Sequence, residues 1–189
     1  LNATRRQRQM CIRDRIMAVP AAETMVKLED TRDPDISIVV TGYQWKWHYK
    51  YQDEGVEFYS SLARPSLAAR PKQSGVDVNS VDNYLLEVDN PVVVPRGAKV
   101  RLLLTSNDVI HSWWVPELAI KKDAIPGIVN ETWFRANEVG TYRGQCAELC
   151  GKDHGYMPVV VEVVEPEAYR AWVDTRSNGE AKLASASQN

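Results

Sequence analysis

The sequence predicts an all-β sandwich or barrel followed by one short C-terminal helix. Three observations carry this. From Asp35 onward, short runs rich in β-branched and aromatic residues recur along the chain. Turn residues punctuate them at Pro95-Arg96-Gly97, Pro126-Gly127 and Gly140. No long helical stretch separates the runs, as a parallel α/β sheet would need. The length of 189 residues suits one domain, and an apolar fraction of 44% beside 25% charged residues can build a core.

Taken in order, residues 1–16 show no apolar period and carry five arginines. They read as a disordered basic or non-native segment. The run "RRQRQMCIRDR" resembles translated sequencing adapter, so it is set aside with its Cys11. Residues 17–34 read as a linker. The main domain is expected over 35–165. It opens with "ISIVVTGYQWKWHYKY", read as one strand. Period 2 puts Tyr43, Trp45, Trp47, Tyr49 and Tyr51 on one face, mostly packing into the core. Gln44, Lys46, His48 and Lys50 fall on the other face, with His48 at the surface. "VEFYS", "YLLEV", "KVRLLLTS", "ETWFRA", "TYRGQ" and "PVVVEVVE" are further strands. Residues 61–83 are polar, contain Pro65, Pro71 and Gly75, and read as a long surface loop. "PEAYRAWVDT", 166–175, reads as a short helix with Pro166 in its first turn. Residues 176–189 are small and polar and read as a flexible tail.

Composition narrows the functional classes. No apolar run reaches the roughly 18 residues of a membrane span, and no secretory signal pattern opens the sequence. Three cysteines are too few for a disulfide scaffold. The chain carries −2 overall; residues 1–16 carry +4, so −6 falls on residues 17–189. An acidic body argues against nucleic acid and for a basic partner, or for a simple solvated surface.

The chemistry concentrates in "GQCAELCGKDHGYMP", residues 144–158. Cys146, Cys150, His154 and Met157 are spaced C-x3-C-x3-H-x2-M between two expected strands, in a loop on a stiff scaffold. A Cys146–Cys150 disulfide leaves His154 and Met157 unexplained. A zinc site could recruit His111, but the thioether is surplus to it. Thiolate, imidazole and a weak thioether together favour copper in an electron-transfer site. Two thiolates can bridge two coppers, and His111 and His154 offer one imidazole to each. His111 lies in "NDVIHSWWVP", expected at the end of an apolar strand.

These stretches, with "KKDAIPG" and "GYQWKWHYKY", resemble cytochrome c oxidase subunit II in its bacterial form, over about residues 18–174. The resemblance implies a cupredoxin-like Greek-key domain with a binuclear copper centre, CuA. By motif match, Cys146 and Cys150 bridge the coppers. His111 and Met157 complete one, and His154 with the backbone carbonyl of Glu148 completes the other. The Glu148 side chain is implied to face magnesium or manganese at the contact with subunit I. Trp45 is implied as the entry point for electrons from cytochrome c, and Asp108 as a docking acid. Lys121 and Asp123 match a pair near the subunit interface. Two departures stand out: Ala147 replaces a frequent serine but supplies no ligand, and Lys50 stands where better-studied relatives carry an acid. The copper domain of nitrous oxide reductase shares the loop spacing but has tryptophan in place of Glu148 and lacks the "GYQWKW" strand. Quinol oxidase subunit II shares the fold but lacks the ligands. A zinc-stapled binding module remains the alternative from another class.

The function implied is an electron-transfer subunit of a respiratory haem-copper oxidase. It would take electrons from cytochrome c and pass them to subunit I, beside subunit III, where oxygen is reduced to water. Too few histidines remain for haem, so the oxygen chemistry belongs elsewhere. The family sits in the bacterial inner membrane with this domain on the periplasmic side. Its two N-terminal membrane helices are expected upstream of Met17, which makes the chain N-terminally truncated.

Overall fold

A computed structural model describes residues 2–70 and 75–186, with side chains over 4–70 and 75–177. It divides into two compact units, Leu1–Arg32 and Asp33–Asn189.

The first unit is helix α1, Asn2–Leu28. The stretch is thus helical where the sequence was read as a disordered or non-native segment followed by a linker. Arg, Ala, Met and Gln make up about half of the stretch, it holds no glycine, and these are strong helix formers without an apolar period. Propensity settles the structure where periodicity gave no signal. The Thr24 hydroxyl donates to the carbonyl of Pro20 at 2.9 Å, and Lys27 pairs with Glu23 at 2.7 Å. Among the described residues, no helix is long and apolar enough to cross a membrane.

The second unit is a two-sheet sandwich. Its strands are β1 (Ile36–Tyr43), β2 (Lys46–Tyr51), β3 (Glu57–Ser60), β4 (Val92–Pro95), β5 (Lys99–Ser106), β6 (His111–Val115), β7 (Ile120–Ala124), β8 (Asn130–Arg135), β9 (Gly140–Cys146) and β10 (Pro158–Val164). One sheet runs β3-β2-β1-β5-β8 and the other β4-β10-β9-β6-β7. Both are mixed: β1 lies parallel to β5, and β4 parallel to β10. Strict alternation of burial along β5 turns Val100, Leu102 and Leu104 inward. Ile38, Val40, Trp47 and Tyr49 join them from the same sheet, facing Val94, Trp113, Val115, Val159 and Val161 from the other.

Two buried phenols tie the sheets together. Tyr51 on β2 donates to the carbonyl of Val93 on β4 at 2.7 Å and accepts from the Val93 N–H at 3.0 Å. The indole N–H of Trp113 on β6 donates to the Tyr49 hydroxyl at 3.1 Å. Buried phenol and indole groups need such partners.

Several elements differ from the sequence expectation. "GYQWKWHYKY" is not one strand: β1 and β2 form an antiparallel hairpin whose closing pair is Tyr43 with Lys46. Trp45 is therefore a turn residue. "YLLEV" forms turns, with only an isolated bridge between Val88 and Leu62. The loop 61–83 carries a short helix α2, Arg64–Ala69; Pro71 lies outside the described residues. His111 opens β6 rather than ending a strand. Helix α3 runs over Pro166–Ala186, well past 175, because Glu, Ala, Lys and Leu beyond Gly179 favour helix. Of the expected tail, residues 187–189 lie outside the described residues. Tyr169 and Trp172 of α3 pack on the β2–β3 aromatics, with the Trp172 and Tyr51 ring centres 5.3 Å apart.

Candidate metal centre

The end of β9, the start of β10, the start of β6 and the β1–β2 turn meet at one end of the sandwich. Cys146 ends β9 and Met157 directly precedes β10. The Cys146 N–H donates to the Met157 carbonyl at 3.0 Å and closes the neck of the 146–157 loop. The Ala147 N–H donates to the Ser112 carbonyl at 2.9 Å, which pins the loop to β6. Cys146, Cys150 and Met157 are buried, and His111 is fully so.

The donors converge. The two sulfurs lie 3.9 Å apart, and both cysteines are free, so no disulfide joins them. His111 Nδ1 lies 3.9 Å from Cys146 Sγ, and His154 Nδ1 lies 3.6 Å from Cys150 Sγ. The Glu148 carbonyl is 3.4 Å from Cys146 Sγ, while the Glu148 side chain faces solvent. The ligand atoms of His111, Cys146 and Cys150 all lie within 4.8 Å of one another. Two soft thiols, two imidazoles and a buried thioether fit copper by ligand chemistry.

Neighbours fix these groups in place. His111 Nε2 lies 2.8 Å from Asp108 Oδ1, which leaves Nδ1 turned toward Cys146. Trp47 meets the His111 ring edge-on, with centroids 5.8 Å apart. Behind the ring, a Cβ added at Gly42 would come within 2.6 Å of His111 Cδ2, so β1 needs glycine there. Asp108 also accepts from the backbone N–H groups of Gln44 and Val109, both at 2.7 Å. Burial pushes its carboxyl up, but the bonds from His111 and these N–H groups outweigh that and hold it below the usual range. Burial would likewise lower His111, and its bonds to Cys146 and Asp108 raise it instead. At Cys146, burial is outweighed by hydrogen bonding from His111 and Ser112, which brings the thiol down to about 7. Cys150, buried beside that sulfur, is pushed up to about 12.

Of the remaining sequence-predicted residues, Trp45 sits directly over the ligand loop. A Cβ built at Gly151, next to Cys150, would lie 3.1 Å from Trp45 Cζ2. Lys152 lies over the Trp45 ring at 5.6 Å. Gln44 donates from its side-chain amide to the Cys150 carbonyl at 2.7 Å. Asp108 is partly exposed, and its carboxylate is engaged by Gln44 and His111. Lys121 and Asp123 stand on β7, the strand that pairs with β6. Gln44, Gly42, Trp47 and the support of His111 by Asp108 were not foreseen. Only the last had a local signal, the three-residue spacing from Asp108 to His111.

Comparison with known proteins converges on one family. The model for "Cytochrome C oxidase subunit II, periplasmic domain" matches residues 36–164. The chain is 44% identical over 174 residues to the probable cytochrome c oxidase subunit 2 of Rickettsia bellii, covering 89% of this chain and 61% of that protein. It is 39% identical over 165 residues to cytochrome c oxidase subunit 2 of Cereibacter sphaeroides, covering 83% and 54%. It thus spans about half to three-fifths of the length of these curated relatives. The crystal structure of the periplasmic domain of subunit II of cytochrome oxidase from Bradyrhizobium japonicum superposes with a TM-score of 0.69 at 40% identity. That match covers 79% of this chain and 98% of the other. A second solved structure, described as the mixed disulfide intermediate between a thioredoxin-like protein and subunit II of cytochrome c oxidase, matches at 40% identity, with a TM-score of 0.63 over 80% of this chain and 96% of that one. With its two-sheet cupredoxin sandwich and its cluster of His111, Cys146 and Cys150, the chain belongs to the cytochrome c oxidase subunit II family, through that family's periplasmic domain.

Proposed function

We propose that this chain is the electron-transfer subunit of a respiratory haem-copper oxidase, receiving electrons from cytochrome c at a binuclear CuA centre. The observation that carries the reading is the pair of buried thiols 3.9 Å apart, flanked by an imidazole on each side. Cys146 and Cys150 would bridge two coppers. His111 and Met157 would complete one site, and His154 with the Glu148 carbonyl the other. When bound, such a pair supplies one-electron redox chemistry.

The protein's own contribution is rigidity and access. Asp108 and Trp47 hold the His111 ring, and the bond from Cys146 N–H to Met157 holds the neck of the loop. A buried, fixed donor set reorganises little when its charge changes. Trp45 sits over Gly151 and serves as the entry point, while Gln44 fastens the β1–β2 turn to the Cys150 carbonyl. Asp108 contributes its remaining exposed edge to docking. The exposed Glu148 carboxylate would hold a magnesium or manganese ion at the contact with subunit I. From this domain electrons would pass to the haem and copper sites of subunit I, next to subunit III, where oxygen is reduced. The domain stands on the periplasmic side of the bacterial inner membrane, anchored by N-terminal helices that precede this segment in the family.

The test is to reconstitute the chain with copper and count metal against protein. Two coppers per chain, sharing one delocalised unpaired electron by electron paramagnetic resonance, are expected. One copper per chain, or an electron localised on one nucleus, overturns the reading.

A further inference from the structure

We propose that Arg70 is a positioning residue for the His154 side of the copper site, acting through Asp153 and Tyr156. The inference rests on the copper reading above. The ligands differ in how they are held. Cys146 and Met157 meet across the paired ends of β9 and β10, and His111 is fully buried against Asp108 and Trp47. The Cys150 carbonyl is tied to Gln44. His154 instead rides on a single 3-10 turn, His154–Tyr156, and is only half-buried.

That turn is gripped from a distant part of the chain. Arg70 follows α2, and its guanidinium forms an ion pair with the carboxylate of Asp153, which is 9% exposed. The same guanidinium lies over the Tyr156 ring, 4.3 Å from its centroid. Asp153 immediately precedes the turn and Tyr156 ends it, and the Tyr156 N–H donates to the Asp153 carbonyl at 2.9 Å. One planar cation thus touches both ends of the three-residue segment that carries the imidazole. A buried carboxylate requires such a partner. Arginine can pair and stack at once, which the compact ammonium of lysine does less well. Residues that orient metal ligands typically contribute about 10-fold to 100-fold in metal affinity. No local pattern points to this role, since Arg70 belongs to a segment that read as a surface loop.

The experiment uses the full chain loaded with copper and compares Arg70→Met, Arg70→Lys, Asp153→Asn and the Arg70→Met/Asp153→Asn double variant with the parent. Each is measured by copper retention against a chelator, by the visible absorption and electron paramagnetic resonance of the copper site, and by thermal melting. Arg70→Met and Asp153→Asn should each weaken copper retention roughly tenfold or more and shift the spectra. Arg70→Lys should recover part of the loss, and the double variant should be little worse than the worse single. Variants that melt lower but keep the parent's spectra and copper retention would show a structural role only and overturn the proposal. Should Arg70→Met fail to fold, Arg70→Lys and Asp153→Asn decide by the same criterion. A parent that takes up no copper overturns the copper reading itself; a parent that loads normally beside variants that also load normally overturns this inference alone.

Discussion

At Met157 and Cys146 the same loop holds two proposed copper ligands of different weight. The thioether is a weak ligand that tunes the metal, whereas each thiolate holds it. Met157→Leu, close in volume, should leave a copper-loaded chain with a shifted midpoint potential and slower electron transfer. Cys146→Ser should lose the binuclear signal. A Met157→Leu chain with the parent's potential and transfer rate would remove Met157 from the ligand set. These candidates stood out in the sequence because four side chains of metal-ligating type fall within twelve positions. Their supports did not. Gln44 reaches a carbonyl 106 positions away, and Arg70 a carboxylate 83 away. Local spacing carries no trace of contacts that only the closed sandwich creates. Gly42 illustrates the same limit, since the His111 ring that excludes a side chain there arrives from the other sheet.

Among the elements, those with alternating β-branched residues were readable and those set by propensity or by a turn were not. The β5 pattern "KVRLLLTS" gives its strand and its buried face directly. The β1–β2 hairpin was missed because its turn, Gln44-Trp45, contains none of the residues that usually mark one. The β6–β7 strands were missed as a pair because Trp113 and Trp114 follow His111 in a run too short to show a period. The inter-sheet ties make a quantitative expectation. Tyr49→Phe removes the acceptor for the Trp113 indole N–H and keeps the ring. Leaving that buried donor unpaired should cost about 1–3 kcal/mol in denaturant unfolding. An unchanged midpoint would mean that the indole finds another partner. Trp47, whose own indole N–H has no partner among the described contacts, shows that the core accommodates at least one such group.

Over the whole molecule, charge and topology are the features that matter beyond the site. Residues 17–189 carry −6, so under the proposed function association with a basic cytochrome c should weaken as salt rises, within the screening length of about 8–10 Å at ordinary ionic strength. With Trp45 as the proposed entry point, Trp45→Ala should slow electron entry while the colour of the copper site persists. A rate indifferent to salt would point to a hydrophobic or tethered donor. Net charge and its sign were plain in the sequence, and so was the two-layer β architecture. The order of strands was not, because two pairings join distant parts of the chain in parallel.

Those pairings also govern time. Ile36 meets Val100 and Val92 meets Val161, so neither sheet can be completed until remote segments have found each other. Chains dominated by such closures cross their folding barrier in roughly milliseconds to seconds, because the entropy of closing a long loop is lost before any contact repays it. The proposed copper ligands lie where β6, β9 and β10 converge, so the complete donor set assembles only with those strands in place. Copper should therefore act as a lock and not as a template. In stopped-flow tryptophan fluorescence, refolding should proceed at the same rate with or without the metal, while the unfolding rate drops when copper is bound. A refolding rate that climbs with copper would mean that the ligand loop is already organised at the barrier.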